Sequence, residues 1–341
     1  MRNITTEITT LRRQWGKRLL ILGHHYQSMA VLQHADIVGD SLELARAAAA
    51  NPDAERIVFC GVHFMAESAV ILTGGIRPVY MPDPAAGCPM ANMASPEQVA
   101  LAWEVLASVS ADFVPIVYVN SSAEIKAFCG RHGGTTCTSS NALRAFQWAL
   151  RQNKRIFFLP DEHLGRNTAG ELDLEERDLA VYDPKAERGG VRIEKLARAR
   201  VVLWKGFCPI HMAFTVEQIR EVRRVLPDAK IIVHPECRRE VVLAADAHGS
   251  TAQIVRFVEN APAGSTVVIG TELNLVRRLA EEHKPRVTVK ALCCSVCANM
   301  AKTNEDNLLE VLSNWPDERR VQVPAETAQD ARIALERMLQ L

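Results

Sequence analysis

At 341 residues the chain is too long for one ordinary hydrophobic core, and two or three domains are expected. Forty basic and forty acidic side chains leave no net charge, which excludes bulk attraction to nucleic acid or membrane, and no apolar run reaches the ~18 residues of a membrane span. Nine cysteines and a Met1–Gly16 start without an apolar signal core favour thiols or metal ligands in the cytosol over disulfides.

In chain order, Thr5–Trp15 is predicted as a short helix. Leu19–Leu22 is an apolar strand ending in Gly23-His24-His25-Tyr26-Gln27. Val38-Gly39-Asp40-Ser41 leads into the Ala-rich helix Leu42–Ala50, and Arg56–Val62 is the next strand. His63–Leu72 reads as helix, Pro78–Met81 as strand, and Asp83–Cys88 as loop. The order then repeats. Asp112–Val119 is a strand despite Pro115, ending in Tyr118-Val119-Asn120, with a helix near Ser122–Phe128 and a loop at Gly130–Thr136. Thr138-Ser139-Ser140 opens the helix Asn141–Arg151, and Arg155–Pro160 is a strand. Arg166–Gly190, polar and Gly-rich at its ends, reads as an inserted surface loop before the strand Arg200–Trp204. A third pass runs through the strand Ala229–Val233, His234-Pro235-Glu236, Gly249-Ser250-Thr251 and the helix Ala252–Glu259. It continues with the strand Ser265–Gly270, the helix Asn274–His283 and the strand Arg286–Ala291. Strands alternating with helices predict an α/β fold with small parallel sheets joined by right-handed crossovers. The units divide as 1–109, 110–227 and 228–321, with a closing helix at 322–341 that is expected to return to the first unit.

One repeated string organises these units. Cys88 opens C-P-M-A-N-M-A-S-P-E-Q-V, Cys208 opens C-P-I-H-M-A-F-T-V-E-Q-I, and Cys297 opens C-A-N-M-A-K-T-N-E-D-N-L. Seven residues after each cysteine stands a helix N-cap type (Ser95, Thr215, Asn304), followed by an acid, an amide and an aliphatic at matching offsets. The repeat selects three of nine cysteines as equivalent. Three thiolates on separate loops can hold a [4Fe–4S] cluster with one iron left open, and they also suit a zinc site or plain burial. Ligand type alone does not choose between zinc and iron–sulfur. Cys294-Ser295-Val296-Cys297 is also a C-x-x-C, the spacing of a redox pair.

The strand ends supply His24 with Tyr26, Tyr118 with Asn120, and His234 with Glu236. Each pair is spaced i, i+2, which points both side chains to one face of an extended strand. Such a set can run general acid–base chemistry. Ser41, Ser139, Ser250 and Thr251 precede helices, where they can cap the helix, bind an anion, or do both. Met65 and Glu67 are expected to serve packing and surface unless their helix faces the site.

The segments LILGHHYQ, GDSLELA, FCGVHFMAESA, GCPMA, YVNSSAEIKA, CTSSNA, PDEHLGR, LWKGFC, HPECRREV, GSTAQI, GTELN and CANM, in this order from Leu20 to Met300, resemble the quinolinate synthase family, the A proteins of bacterial NAD biosynthesis. The resemblance implies three α/β domains about a pseudo-three-fold axis, with a [4Fe–4S] cluster on Cys88, Cys208 and Cys297. It implies condensation of iminoaspartate with dihydroxyacetone phosphate, the former supplied by L-aspartate oxidase or aspartate dehydrogenase, to give quinolinate, phosphate and water. His24, Tyr26, Ser41, Met65, Tyr118, Asn120, Ser139, His234, Glu236, Ser250 and Thr251 would line the cavity. Tyr26 and Glu236 would transfer protons and His24 and His234 would position or share them. Tyr118, Asn120 and the hydroxyls would hold carboxylates and phosphate. Gly130–Thr136, Arg166–Gly190 and the extra Cys293 depart from the family pattern. The reading from another class is an iron–sulfur or zinc sensor.

Overall fold

The computed structural model describes residues 3–341; the first two positions of the first predicted unit lie outside the described residues. The fold is α/β, and its described strands form three small sheets. Leu19–His24 (β1) is buried along its whole length, as a strand covered on both faces must be. It pairs in parallel with Ile37–Gly39 (β2) and Arg56–Cys60 (β3), and Val79–Tyr80 (β4) follows on β3. The second sheet contains Phe113–Tyr118 (β5), Thr135–Cys137 (β6), Arg155–Leu159 (β7), Leu179–Tyr182 (β8) and Val201–Trp204 (β9). The third contains Lys230–Val233 (β10), Ala247–His248 (β11), Thr266–Gly270 (β12) and Thr288–Ala291 (β13).

The spatial orders are β2-β1-β3-β4, β6-β5-β7-β9-β8 and β11-β10-β12-β13. Apart from β8, the order second-first-third-fourth recurs each time. Among the described residues the only antiparallel pairing is at the rim of the first sheet, where Arg320–Val321 (β14) joins β4. In such sheets the crevice opens at the carboxyl ends of the strands, where the order switches beside the first strand. His24, Tyr118 and Val233 end those three first strands.

Each repeated string builds one device. Ser95, Thr215 and Asn304 accept from the N–H groups of Gln98, Gln218 and Asn307, whose side chains accept in return from the cap N–H: three capping boxes. The amide that recurs in the string is therefore the reciprocal partner of the cap. The first two capped helices cover the sheet that follows each, and the third returns to the first sheet. Val99 and Leu106 of Pro96–Val109 pack with Phe113 and Phe157, and Ile219 of Val216–Val225 packs with Ile231 and Val268. Leu308 and Val311 of Glu305–Asn314 pack with Ile21 and Val58 of the first sheet. The predicted boundaries after 109 and 227 thus fall behind helices that already belong to the next sheet's core.

Two expectations meet a different structure. Gly130–Thr136 is not a loop: helix Ala123–Arg131 runs into it, and β6 fills its end. Its Gly130 serves close packing, because a Cβ there would overlap the Asp330 carbonyl oxygen of the closing helix Ala325–Gln340. Arg166–Gly190 is likewise structured. Helix Glu162–Gly170 enters it, and β8 extends the second sheet beyond β9. Its Gly170 lies against the Arg239 guanidinium, so that glycine marks contact and not a turn. The closing helix, expected on the first unit, packs there on helix His63–Leu72 and accepts from Arg46 Nη2 at the Leu339 carbonyl (3.4 Å), and it also binds the second unit. Thr136 Oγ1 donates to the Ala334 carbonyl and Asn141 Nδ2 to the Met338 carbonyl, each at 3.1 Å.

Pro115 sits in a central strand without cost to the ladder. Its carbonyl faces Gly134, and pairing with β6 begins only at Ile116, so the missing N–H falls where no acceptor is waiting.

Candidate active site

A cavity of about 230 Å³ opens where the carboxyl ends of the first strands meet the loops after the fourth strands. Cys88, which follows β4, Cys208, which follows β9, and Cys297, which follows β13, all line it. The three loops are tied to one another. Lys302 Nζ donates to the Ala85 carbonyl (2.6 Å), Ser295 Oγ to the Ile210 carbonyl (2.9 Å) and Trp204 Nε1 to the Met93 carbonyl (2.8 Å). The Cys297 N–H is taken by Glu272 Oε1 at 3.3 Å. Burial pushes the Cys88 thiol up to about 12 and raises Cys208 and Cys297. Glu236 adds to each shift. The charge of Cys297 also raises Cys88, and that of Cys88 raises Cys208, as expected of thiols sharing one cavity.

Beneath the cysteines runs a buried chain of hydrogen bonds. Tyr118 Oη donates to Glu236 Oε1 at 2.5 Å, and His211 Nδ1 meets Glu236 Oε2 at 2.7 Å. His211 Nε2 lies 3.0 Å from Thr271 Oγ1, which lies 2.8 Å from Tyr26 Oη. Thr251 Oγ1 donates to the same phenol oxygen at 3.3 Å. Three side chains, Glu236, His211 and Thr271, thus connect Tyr118 to Tyr26.

The electrostatics along this chain are divided. Burial alone would raise Glu236, but His211 and His234, with the hydrogen bonds from His211 and Tyr118, outweigh it and hold the carboxyl below its usual range. Burial first, and the Glu236 charge second, raise both Tyr26 and Tyr118 well above the usual phenol range. An ionised carboxylate therefore accepts from a protonated Tyr118, and Tyr26, at the other end of the chain of bonds, keeps its proton as well. His24 and His234 are both lowered to about 3 by burial, with Glu236 opposing in each case. Each accepts through Nδ1 from the N–H two residues on, Tyr26 at 3.2 Å and Glu236 at 3.3 Å, which leaves the proton of the neutral ring on Nε2. His234 stacks on His211 (4.3 Å between centroids), and His24 meets Tyr26 edge-on (4.8 Å).

The helix starts behave differently from one another. Asp40, not Ser41, caps helix Ser41–Ala50, and it also accepts from Ser140 Oγ of the second unit at 2.5 Å. Helix Ala142–Arg151 follows Asn141. Ser41 and Ser139 are freed from capping, line the cavity, and make no side-chain hydrogen bond to another described residue; the Asn120 amide is equally uncommitted. Ser250 is the true cap of Thr251–Glu259, fully buried, accepting from the Gln253 N–H at 3.3 Å and absent from the cavity wall. Thr251 does line the wall. Met65 faces the cavity as well, and Glu67, expected at the surface, is buried.

His211 and Thr271 were not among the candidates. The signal for His211 was a departure within the repeat, since the position three after the cysteine holds Ala91, His211 or Met300. Thr271 follows β12, beside the end of β10, after which the candidates His234 and Glu236 stand. Cys208, His211 and Glu236 hold ligand atoms within 4.8 Å of one another, a set able to bind a metal ion. Cys294 is exposed and outside the cavity wall, and Cys60 packs in the first sheet's core. Among the described residues no helix is long and apolar enough to cross a membrane.

Sequence comparison places the chain in a family. The pattern of the Quinolinate synthetase A protein family matches residues 6–340. A quinolinate synthase of Streptomyces coelicolor is 50% identical over 97% of this chain and 86% of its own length. Those of a Geobacillus species and Bacillus subtilis are 48% and 45% identical over 100% of this chain and 94% of their own lengths. A family match over residues 6–340 and relatives 45–50% identical over nearly the whole chain make this chain a member of the quinolinate synthase family of enzymes.

Proposed function

We propose that the chain condenses iminoaspartate with dihydroxyacetone phosphate, releases phosphate and water, and closes the ring of quinolinate. The same reading includes three units about a pseudo-three-fold axis, a cytosolic location, and iminoaspartate supplied by L-aspartate oxidase or aspartate dehydrogenase. The observation that carries it is the hydrogen-bonded chain from Tyr118 to Tyr26 in the cavity the cysteine loops share.

Three thiols in one cavity wall fit a [4Fe–4S] cluster as soft donors, and three leave one iron without a protein ligand. When bound, that iron supplies Lewis acidity toward a substrate oxygen or nitrogen. The chain's own residues do the rest. Glu236, ionised and touching Tyr118 and His211, can take a proton arriving along either bond. Tyr26 keeps its proton at neutral pH and can give it to a departing hydroxyl, with Thr271 and His211 behind it to restore it. Loss of water from a condensed intermediate needs one group of each kind. Ser41, Ser139 and Asn120, uncommitted among the described residues, are available to carboxylate and phosphate oxygens. A sensor has no need of such a chain.

The test is anaerobic turnover of full-length protein with verified iron. Iminoaspartate generated in place and dihydroxyacetone phosphate should yield quinolinate and phosphate in equal amounts. Phosphate without quinolinate, or no turnover at all, overturns the reading.

A further inference from the structure

Two buried charged side chains lie behind the cavity and belong to none of the chemistry above. Lys126, on helix Ala123–Arg131, is 0% exposed, and Glu67, on helix His63–Leu72, is 8% exposed. A buried charge is costly unless it is bonded, and an apolar residue of similar size would avoid the cost, so the bonds these two make call for a reason.

Those bonds join the two walls of the cavity. Lys126 Nζ donates to the Ser121 carbonyl at 2.6 Å and to the Phe64 carbonyl at 3.4 Å, and it lies 5.4 Å from the Phe64 ring centre. Ser121 follows Asn120, and Phe64 precedes Met65; Asn120, Phe64 and Met65 all line the cavity. In the other direction, Glu67 Oε2 accepts the Ala123 N–H at 3.1 Å. Ala123 opens the helix that carries Lys126, and Ser122, at its cap position, makes no side-chain cap bond. The helix of the second unit is therefore capped by a carboxylate of the first, and the helix of the first is held by an ammonium of the second. Burial lowers Lys126 to about 8, with Glu67 and Glu124 opposing, so the cation persists at neutral pH.

We propose that Lys126 and Glu67 are positioning residues: from behind the wall they fix the Tyr118–Asn120 strand end against Phe64–Met65, and so set where Asn120 presents its amide to an anionic substrate. This rests on the quinolinate synthase reading. The bond to the Ser121 carbonyl fixes the turn that displays Asn120, and that turn is tight, with the Ser121 N–H on the Val119 carbonyl at 2.8 Å. Neither side chain lines the cavity.

The experiment titrates quinolinate into cluster-loaded wild-type protein and the variants Lys126→Met, Glu67→Ala and Glu67→Gln, with thermal midpoints measured alongside. The Gln variant keeps an acceptor for the Ala123 N–H. Displacing a binding group by a fraction of an ångström should raise Kd roughly tenfold in Lys126→Met and Glu67→Ala, with Glu67→Gln within about twofold of wild type. If Lys126→Met fails to fold, the contrast between the two Glu67 variants decides. A role in stability alone would lower the midpoint and leave Kd unchanged, and that result overturns the proposal. Wild-type protein that binds no quinolinate would instead remove the functional reading.

Discussion

Tyr26 and Glu236 stand at separate points of one chain of bonds, so replacing either should break proton transfer without dismantling the cavity. Tyr26→Phe removes one hydroxyl, and Glu236→Gln keeps the shape while removing the charge that His211 and Tyr118 surround. Each should lower turnover by roughly 10²–10⁴-fold, with quinolinate affinity and iron content changing far less. Phosphate release measured beside quinolinate formation separates an early from a late role, and wild-type turnover in both variants would show the chain to be structural. The candidates at strand ends were legible because i, i+2 spacing at the end of an apolar run constrains direction. His211 was not, because its importance comes from Glu236 and Thr271, which lie 25 and 60 residues away in sequence and in another sheet.

The helix starts show how an element divides labour between stability and binding. Ser250→Ala removes a buried cap and should cost about 1 kcal/mol of stability. Because its hydroxyl lies outside the cavity wall, affinity for a phosphate-bearing ligand should be kept. Ser41→Ala should do the reverse, since Asp40 holds that cap and the Ser41 hydroxyl faces the cavity. Denaturant midpoints and ligand titrations on the two variants check both halves; weakened phosphate binding in Ser250→Ala would return that residue to the site. The strands, the three capped helices and the cysteine loops were readable from period and repeat. Composition misled at Gly130–Thr136 and Arg166–Gly190, where Gly130 and Gly170 admit a carbonyl and a guanidinium from elsewhere in the chain. Glycine's lack of a Cβ has two uses, and sequence alone displays only one of them.

At the scale of the molecule, the cavity exists only because three sheets meet, so its contents should depend on contacts between units. Cys88→Ala, Cys208→Ala and Cys297→Ala should each lose most of the iron, while Cys60→Ala, buried in the first sheet's core, should keep it. Iron and sulfide analysis of anaerobic protein decides. Acid should loosen the same meeting point. His25, 8% exposed, accepts through Nδ1 from the Arg278 guanidinium of the third unit at 2.8 Å, and Glu43 lies 3.9 Å from its Nε2. Burial, then the charges of His24 and Arg278, lower it to about 3 against the opposing pull of Asp40. Above pH 6.5 His25 is neutral in both the folded and the unfolded chain and contributes no pH dependence. Below 6.5 the unfolded chain takes up a proton that the folded chain refuses until about pH 3, so stability falls across that window. Between pH 7 and pH 5 this one residue should cost up to about 2 kcal/mol. His24 and His234 act with the same sign. His25→Gln keeps an acceptor for Arg278 but does not titrate, so its loss of stability from pH 7 to pH 5 should be smaller than that of wild type by roughly that amount. Urea unfolding of cluster-free protein at the two pH values measures it, and equal losses would mean that His25 takes up its proton as readily in the folded chain as in the unfolded one.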